Sequence, residues 1–400
     1  MSLSTLLDDA RALLDDTIQL RRRIHRRPEI GLALPRTQET VLQAIDGLGF
    51  QTRTGERTTS VVATLEGARP GPTILLRADM DALPMREETG LEFASEVDGA
   101  MHACGHDAHV AMLVGASRLL AGRRASIAGR VVFMFQPGEE GYHGARVMIE
   151  EGLLDDGPPP AAAFALHVGH REPAGVVTTR PGPAMASGDT LQIVVRGHGG
   201  HASAPHDCLD PIPIACEIVQ AFQTLVTRRV DVFDPAVITV ARIEAGTTRN
   251  VIPDTAHLLG TIRSVSEATR ERVLAGVRQV AEGIACAHGA EADVQLVRGY
   301  PVTVNDGAFA ALVLETAGEL LGPERARAMT HPIMGSEDFS YVLQRVPGAM
   351  GFLGTRPEDG PAWPNHSPRM RVHEPALASG IALHAAVALR VLAPLATAAP

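Results

Sequence analysis

Apolar and polar positions alternate along this chain in two distinct rhythms. Between Leu6 and Arg26 the residues Leu6, Leu13, Leu14, Ile18 and Ile24 supply an apolar stripe, which predicts one amphipathic helix. A second helix is predicted from Arg36 to Leu48, stopped by Gly49. The rhythm then shortens. Thr73–Leu76 leads into Arg77-Ala78-Asp79-Met80-Asp81, Arg130–Phe135 leads into Gln136-Pro137-Gly138-Glu139-Glu140-Gly141, and Ala161–Leu166 leads into His167. Short apolar runs of this kind fit buried strands of a largely parallel sheet. Between the first two, His109–Leu120 predicts a helix that buries Val110, Leu113, Val114 and Leu119. Strand–helix alternation means an α/β domain, and in such sheets ligands gather beyond the carboxyl ends of the strands. The polar residues fall at those ends, which points to one shared site.

The middle of the chain has another order. From Ser187 to Val294 it reads strand, helix, strand, strand, helix, strand, with strands at Leu191–Val195, Val237–Ile243 and Ala256–Arg263 and helices at Asp210–Thr227 and Ser266–His288. This predicts an inserted α+β unit, with Pro181-Gly182-Pro183 as a hinge, before the α/β pattern returns after Arg298. A chain of 400 residues exceeds one ordinary core. The expected domains are 1–184 with 296–400, discontinuous, and the insertion 185–295.

Composition narrows the partners. Aromatic residues are 4% of the chain, too few for base-stacking platforms, and the formal charge of −10 argues against polyanions. No nucleic-acid or membrane partner is expected: no apolar run reaches spanning length, the Ala-rich C-terminal end included, and the charged N-terminal stretch has no signal-like core. Four scattered cysteines fit a reducing, cytoplasmic setting, with Cys208, Cys216 and Cys286 expected as packing residues.

The chemistry concentrates in two stretches. His102-Ala103-Cys104-Gly105-His106-Asp107-Ala108-His109 offers a thiolate and an imidazole two residues apart, on one side of an extended segment, where they can share an ion. Glu139 and Glu140 follow a buried strand, where adjacent like charges are costly unless a cation compensates them. One can bind metal while the other acts as a base. Asp81 is placed to orient a ligand imidazole, although Asp79 and Asp81 also fit a simple loop beside Pro84. His102 and His109 read as supporting or helix-face residues. The residues alone leave His167 and His366, the latter in the stiff loop Trp363–Pro368, open between ligand and ordinary roles. Gly197–Pro205 is Gly-rich without the Lys-Ser/Thr of a phosphate loop, so His198 and His201 read as hydrogen-bond donors. Together these features predict metal-activated hydrolysis.

In this order the motifs resemble the M20 metallopeptidase family, and within it the amidohydrolase branch of hippurate hydrolases, N-acyl-amino-acid amidohydrolases and auxin-conjugate hydrolases. The resemblance is carried by Arg77–Pro84, His102–His109, Gln136–Gly141, Gly197–Pro205, Asn250-Val251-Ile252-Pro253 and Gly335-Ser336-Glu337-Asp338-Phe339-Ser340. It implies a phosphorylase/hydrolase-like catalytic domain interrupted by a ferredoxin-like lid and dimerisation domain, in a homodimer or higher homo-oligomer. It implies two divalent metal ions held by Cys104, His106, Glu140, His167 and His366, with Glu139 as catalytic base and Asp81 supporting the site. His201 matches an oxyanion-stabilising residue, and Asn250 and Arg263 match substrate contacts. The mixed donor set suits Mn²⁺, Zn²⁺, Co²⁺ or Ni²⁺ without selecting one. The expected reaction is cleavage of a small N-acyl amino acid, hippurate-like or N-acetylated, to a carboxylic acid and a free amino acid. The alternatives are an N-acetyl-diamino-acid deacetylase or a dipeptidase of the same family. Family dipeptidases usually carry Asp where Cys104–His106 stands. A cysteine-nucleophile hydrolase using Cys104, or a non-catalytic metal-binding protein, are readings of a different class.

Overall fold

A computed structural model describes residues 4–393 of the protein; the Ala-rich end from 394 onward falls outside them. These residues divide into two compact units, one of residues 4–184, 304–330 and 341–393, the other of Met185–Thr303 and His331–Ser340.

The first unit is built on an eight-stranded mixed sheet. Its early strands are β1 (Gln51–Thr54), β2 (Val61–Glu66), β3 (Arg69–Asp79), β4 (Ala128–Gln136), β5 (Ala162–Pro173) and β6 (Val177–Thr179). The spatial order is β1-β2-β4-β3-β5, then Gly348–Arg356, β6 and Ala326–Ala328. The run from β4 through β3 and β5 to Gly348–Arg356 is parallel, and the sheet is antiparallel toward β1. The central strands are apolar on both faces because both faces are covered: Ile74, Leu76, Phe133, Phe135 and Phe164 are buried on one, and Leu75, Met134 and Ala163 on the other.

The helix His106–Ala121 is buried on nearly every side, so its apolar residues show no stripe. It packs against the sheet, against Leu377–Val391 and against the N-terminal helices. Small residues permit the closest approach. A Cβ on Gly115 would sit 2.9 Å from Ile381, and one on Gly380 2.1 Å from the Met112 sulfur.

The predicted N-terminal helix is two helices, Ser4–Ala12 and Leu14–His25. At Leu13 the N–H turns back to Ala10 C=O, a tighter i→i−3 bond that interrupts the α-helical ladder. The second helix then carries Arg21 and His25 inward. Both reach Asp107, the residue after His106, with Arg21 Nε at 2.9 Å and His25 Nδ1 at 2.8 Å from Oδ2. Glu374 accepts a further bond from Arg21 at 2.8 Å. Sequence periodicity carries no sign of this pairing, because a buried arginine breaks the apolar pattern it sits in.

The second unit has the order β-α-β-β-α-β. Its strands Asp189–Arg196, Ala236–Ala245, Thr255–Ser264 and Glu291–Val297 form an antiparallel sheet in which Thr255–Ser264 and Asp189–Arg196 are central. Its helices Pro211–Arg229 and Glu267–Ala287 start at capped residues: Asp210 accepts from the Ile212 N–H and Ser266 from the Thr269 N–H. Strict alternation of buried and exposed residues in Thr255–Ser264 gives the unit its own core of Leu191, Ile193, Phe222, Leu258 and Val277. Two cysteine expectations fail here. Cys216 and Cys286 are exposed, each on the helix face opposite that core, and Cys208 is half-buried. All four thiols are unpaired. Among the described residues no helix is long and apolar enough to cross a membrane.

Arg21→Ala should cost about 3–5 kcal/mol, because it leaves the buried Asp107 short of its strongest partner. Arg11→Ala, which breaks an exposed pair with Asp8, should cost less than about 1 kcal/mol. Chemical denaturation of the two variants against the parent measures both, and equal effects would mean that the buried pair contributes no more than a surface one.

Candidate metal centre

The site forms where β3, β4 and β5 end or part company. After β4 the chain turns, and the backbone N–H groups of Glu139 and Glu140 both point at the Asp81 side chain, bonding Oδ1 and Oδ2 at 2.9 Å each. One buried carboxylate thereby ties the end of β4 to the end of β3. Asp81 also meets an imidazole, chiefly through its main chain. His106 Nδ1 donates to the Asp81 main-chain oxygen at 2.9 Å, while the Asp81 carboxylate is engaged by the glutamate turn. A carbonyl accepts only, so the Nδ1 of His106 carries a proton and Nε2 faces the donor cluster.

Cys104 and His106 do not lie on an extended segment. Gly105 sits at φ 88°, and the helix His106–Ala121 begins immediately after it. That left-handed turn lets the thiol of the loop and the imidazole of the first helical residue face one another. A Cβ at Gly105 would also stand 2.3 Å from Val168 Cγ2, so glycine is required twice over.

His167 is not at a strand end either, since β5 continues to Pro173. The β3–β5 ladder, however, stops at Arg77 and Ala165. Beyond it the side of β5 toward β3 is open, and the His167 ring lies with Nε2 3.4 Å from Cys104 Sγ while Nδ1 donates to Val168 C=O. His366 arrives from the loop Trp363–Pro368 in a left-handed conformation, φ 67°, which costs a non-glycine residue on the order of 1–2 kcal/mol. Its N–H bonds Ala103 C=O at 2.8 Å, and its Nε2 lies 3.2 Å from Glu140 Oε1.

Among the described residues of the first unit four triads of donor atoms result, each within 4.8 Å: Cys104, His106 and His167; Asp79, His106 and His109; Cys104, Glu140 and His366; His106, Glu139 and Glu140. They share Cys104, His106 and Glu140, so they form one connected cluster.

Burial alone would raise the Cys104 thiol, but the His167 and His106 imidazoles hold it well below its ordinary value. Burial would likewise depress His167, yet the facing thiolate lifts it to about 9. Contacts with Cys104 and Glu140 raise His366 to about 10. Burial raises the Glu140 carboxyl against the pull of His366. Asp79 is held ionised, against its burial, by Arg77, His106 and His109. His109 donates from Nδ1 to Asp79 and accepts the Val168 N–H at Nε2, 2.8 Å away, so both its nitrogens are committed. Burial lowers it to about 4 and it stays neutral, a supporting residue as the sequence suggests. His102 is also buried and neutral, its pKa lowered by burial to about 3.

His201, Asn250 and Arg263 belong to the second unit. His201 is exposed, and its Nδ1 accepts the Ser203 N–H at 3.2 Å, which leaves the proton on Nε2 as a donor. Asn250 is exposed, with its main-chain oxygen bonded by Ala202 N–H. Arg263 donates to Ser336 Oγ at 2.9 Å, which links two motifs far apart in sequence.

The donor set fits divalent metal. A buried thiol lies among imidazoles, and the buried His106 Nε2 makes no hydrogen bond. The model of peptidase family M20/M25/M40 matches residues 75–390. The chain belongs to this family. Thermostable carboxypeptidase 1 of Saccharolobus solfataricus is 40% identical over 96% of the chain and 98% of its own length. N-acetylcysteine deacetylase of Bacillus subtilis is 38% identical over 94% and 96%. The Bacillus subtilis YXEP protein, a dinuclear metal-binding peptidase from family M20, superposes with a TM-score of 0.82 at 34% identity, covering 96% of this chain and 99% of its own. This M20 member is therefore a hydrolase with amidohydrolase relatives, built as a mixed α/β protein around a largely parallel sheet.

The raised imidazoles predict a pH dependence of metal loading. With His167 at about 9 and His366 at about 10, the metal-free protein carries a proton on each ring at neutral pH. A metal held by these rings would displace a proton from each, so binding should release protons, and apparent affinity should climb with pH toward about 9 and fall below neutrality. Titration calorimetry of Mn²⁺ or Co²⁺ into stripped protein, in buffers of differing ionisation enthalpy, reads the release. A pH-independent affinity would remove these imidazoles from the ligand set.

Proposed function

We propose that this M20 hydrolase cleaves small N-acyl amino acids, hippurate-like or N-acetylated, to a carboxylic acid and a free amino acid with two divalent metal ions per subunit. The observation that carries the reading is that Cys104, His106 and Glu140 are each shared between donor triads, with Glu139 a member of one of those triads. In this reading Cys104, His106, Glu140, His167 and His366 hold the metals. Bound there, Mn²⁺, Zn²⁺, Co²⁺ or Ni²⁺ supplies Lewis acidity toward the amide carbonyl and toward water.

The chain's own groups do the rest. Glu139, buried and held by its backbone to Asp81, takes a proton from the attacking water and returns it to the leaving nitrogen. The product amine departs protonated once the C–N bond breaks, and the water oxygen remains in the carboxylate. His201, a donor through Nε2, is assigned to the developing oxyanion, and Asn250 and Arg263 to the substrate.

Residues 1–184 with 296–400 are proposed as the catalytic domain, and 185–295 as a ferredoxin-like lid and dimerisation domain. Exposed Val237, Ile243 and Leu259 on its strands support a homodimer or higher homo-oligomer. Four unpaired thiols support a cytoplasmic setting. The carboxypeptidase relative favours a second reading, cleavage of short peptides at the carboxyl end.

Amine release from hippurate, N-acetyl amino acids, an N-acetyl diamino acid and short peptides, assayed on native, chelator-stripped and Mn²⁺- or Co²⁺-restored protein, decides among these. Activity should vanish on stripping and return with metal. Activity that survives stripping would instead assign Cys104 as a nucleophile. Glu139→Gln should lower turnover by on the order of 10²–10⁴-fold with metal content unchanged. Parallel loss of metal would exchange the roles of the two glutamates.

A further inference from the structure

The loop that carries His366 into the cluster also carries Asn365, whose side chain reaches two of the other segments. The Asn365 Nδ2 donates to Cys104 C=O at 3.1 Å and to Val168 C=O at 3.2 Å, and lies 3.8 Å from Cys104 Sγ. Both carbonyls only accept, so the amide can have only one orientation, nitrogen inward. Through the next residue, the His366 N–H bonds Ala103 C=O at 2.8 Å. One dipeptide thus laces three segments together, and each holds one donor: Cys104, His167 and His366.

On its β3 side the sheet does not serve Val168. The β3–β5 ladder has already ended at Ala165, and on that side the Val168 N–H goes to His109 and its C=O to Asn365 and the His167 ring. The left-handed backbone of His366 likewise has to be held by its surroundings. At the sulfur, an N–H pointing toward a thiolate stabilises its negative charge and reduces what it donates to a metal.

We propose that Asn365 is the positioning residue of this centre: its amide sets the spacing of Cys104, His167 and His366 and moderates the Cys104 thiolate as a donor. The proposal rests on the metal-centre reading above. It acts through the ligands and touches no substrate.

The test is Co²⁺ binding to stripped protein, read by affinity and by the thiolate-to-cobalt charge-transfer absorption, for the parent, Asn365→Ala, Asn365→Asp and Cys104→Ser. Thermal unfolding of each metal-free protein is followed alongside. Asn365→Ala should unfold near the parent temperature and bind Co²⁺ about 10–100-fold more weakly, with a shifted charge-transfer band. Asn365→Asp keeps the size but turns a carboxylate on two carbonyls and a thiolate, so it should bind more weakly still. It also decides the matter if the alanine variant does not fold. Parent-like affinity and band in a folded Asn365 variant, beside a lost band in Cys104→Ser, would overturn the role of Asn365 alone. Parent-like Co²⁺ affinity in Cys104→Ser would overturn the metal-centre reading itself.

Discussion

Two backbone N–H groups aimed at one buried carboxylate govern the rest of this protein. Asp81 accepts from Glu139 and Glu140 with both oxygens, and its own carbonyl fixes His106. With two backbone donors the buried carboxylate has both oxygens satisfied and is held in one orientation. Two parallel strands meet at this residue, so a small error in either would be felt at three donor groups together. The two glutamates are fixed through their backbones, and Glu140 turns its side chain toward His366.

Around this point the charges extend inward along two lines. One runs from Arg77 through Asp79 and His109 to the Val168 peptide. The other runs from Glu374 through Arg21 and Asp107 to His25 and Glu87. Buried ion pairs of this kind add little net stability relative to an apolar core, but losing one member is costly. The fold therefore spends packing efficiency on orientation. His106 stands between the lines, with Asp79 beside its Nε2 and Asp107 as its neighbour in sequence.

How much of this was legible in the chain follows from how local each signal is. Cys104, His106, Glu139 and Glu140 lie in short motifs at strand and helix junctions, and the α/β alternation placed them at one end of a sheet. His167 and His366 are single residues whose partners are more than sixty positions away, so only the family resemblance singled them out. The break at Leu13 leaves no mark on hydropathy because both halves keep an apolar side. The left-handed turn at Gly105 was hidden behind the spacing of its neighbours, which fits an extended segment equally well. Asn365 gave no signal at all, since a lone asparagine in a proline-rich loop looks like ordinary turn chemistry.

The order of strands in the large sheet imposes a schedule on assembly. Gly348–Arg356 lies inside the sheet, hydrogen-bonded to β5 on one side and β6 on the other, although the chain produces those neighbours well before it. As the polypeptide leaves the ribosome, β5 and β6 wait with an unfilled gap while the whole of the second unit is made. That unit, with its own core, can fold during the delay. Closing the gap joins residues far apart in sequence, a slow step for a growing chain. Asn365 and His366 follow only ten residues behind that strand, so the last piece of the sheet and the last piece of the donor cluster arrive together.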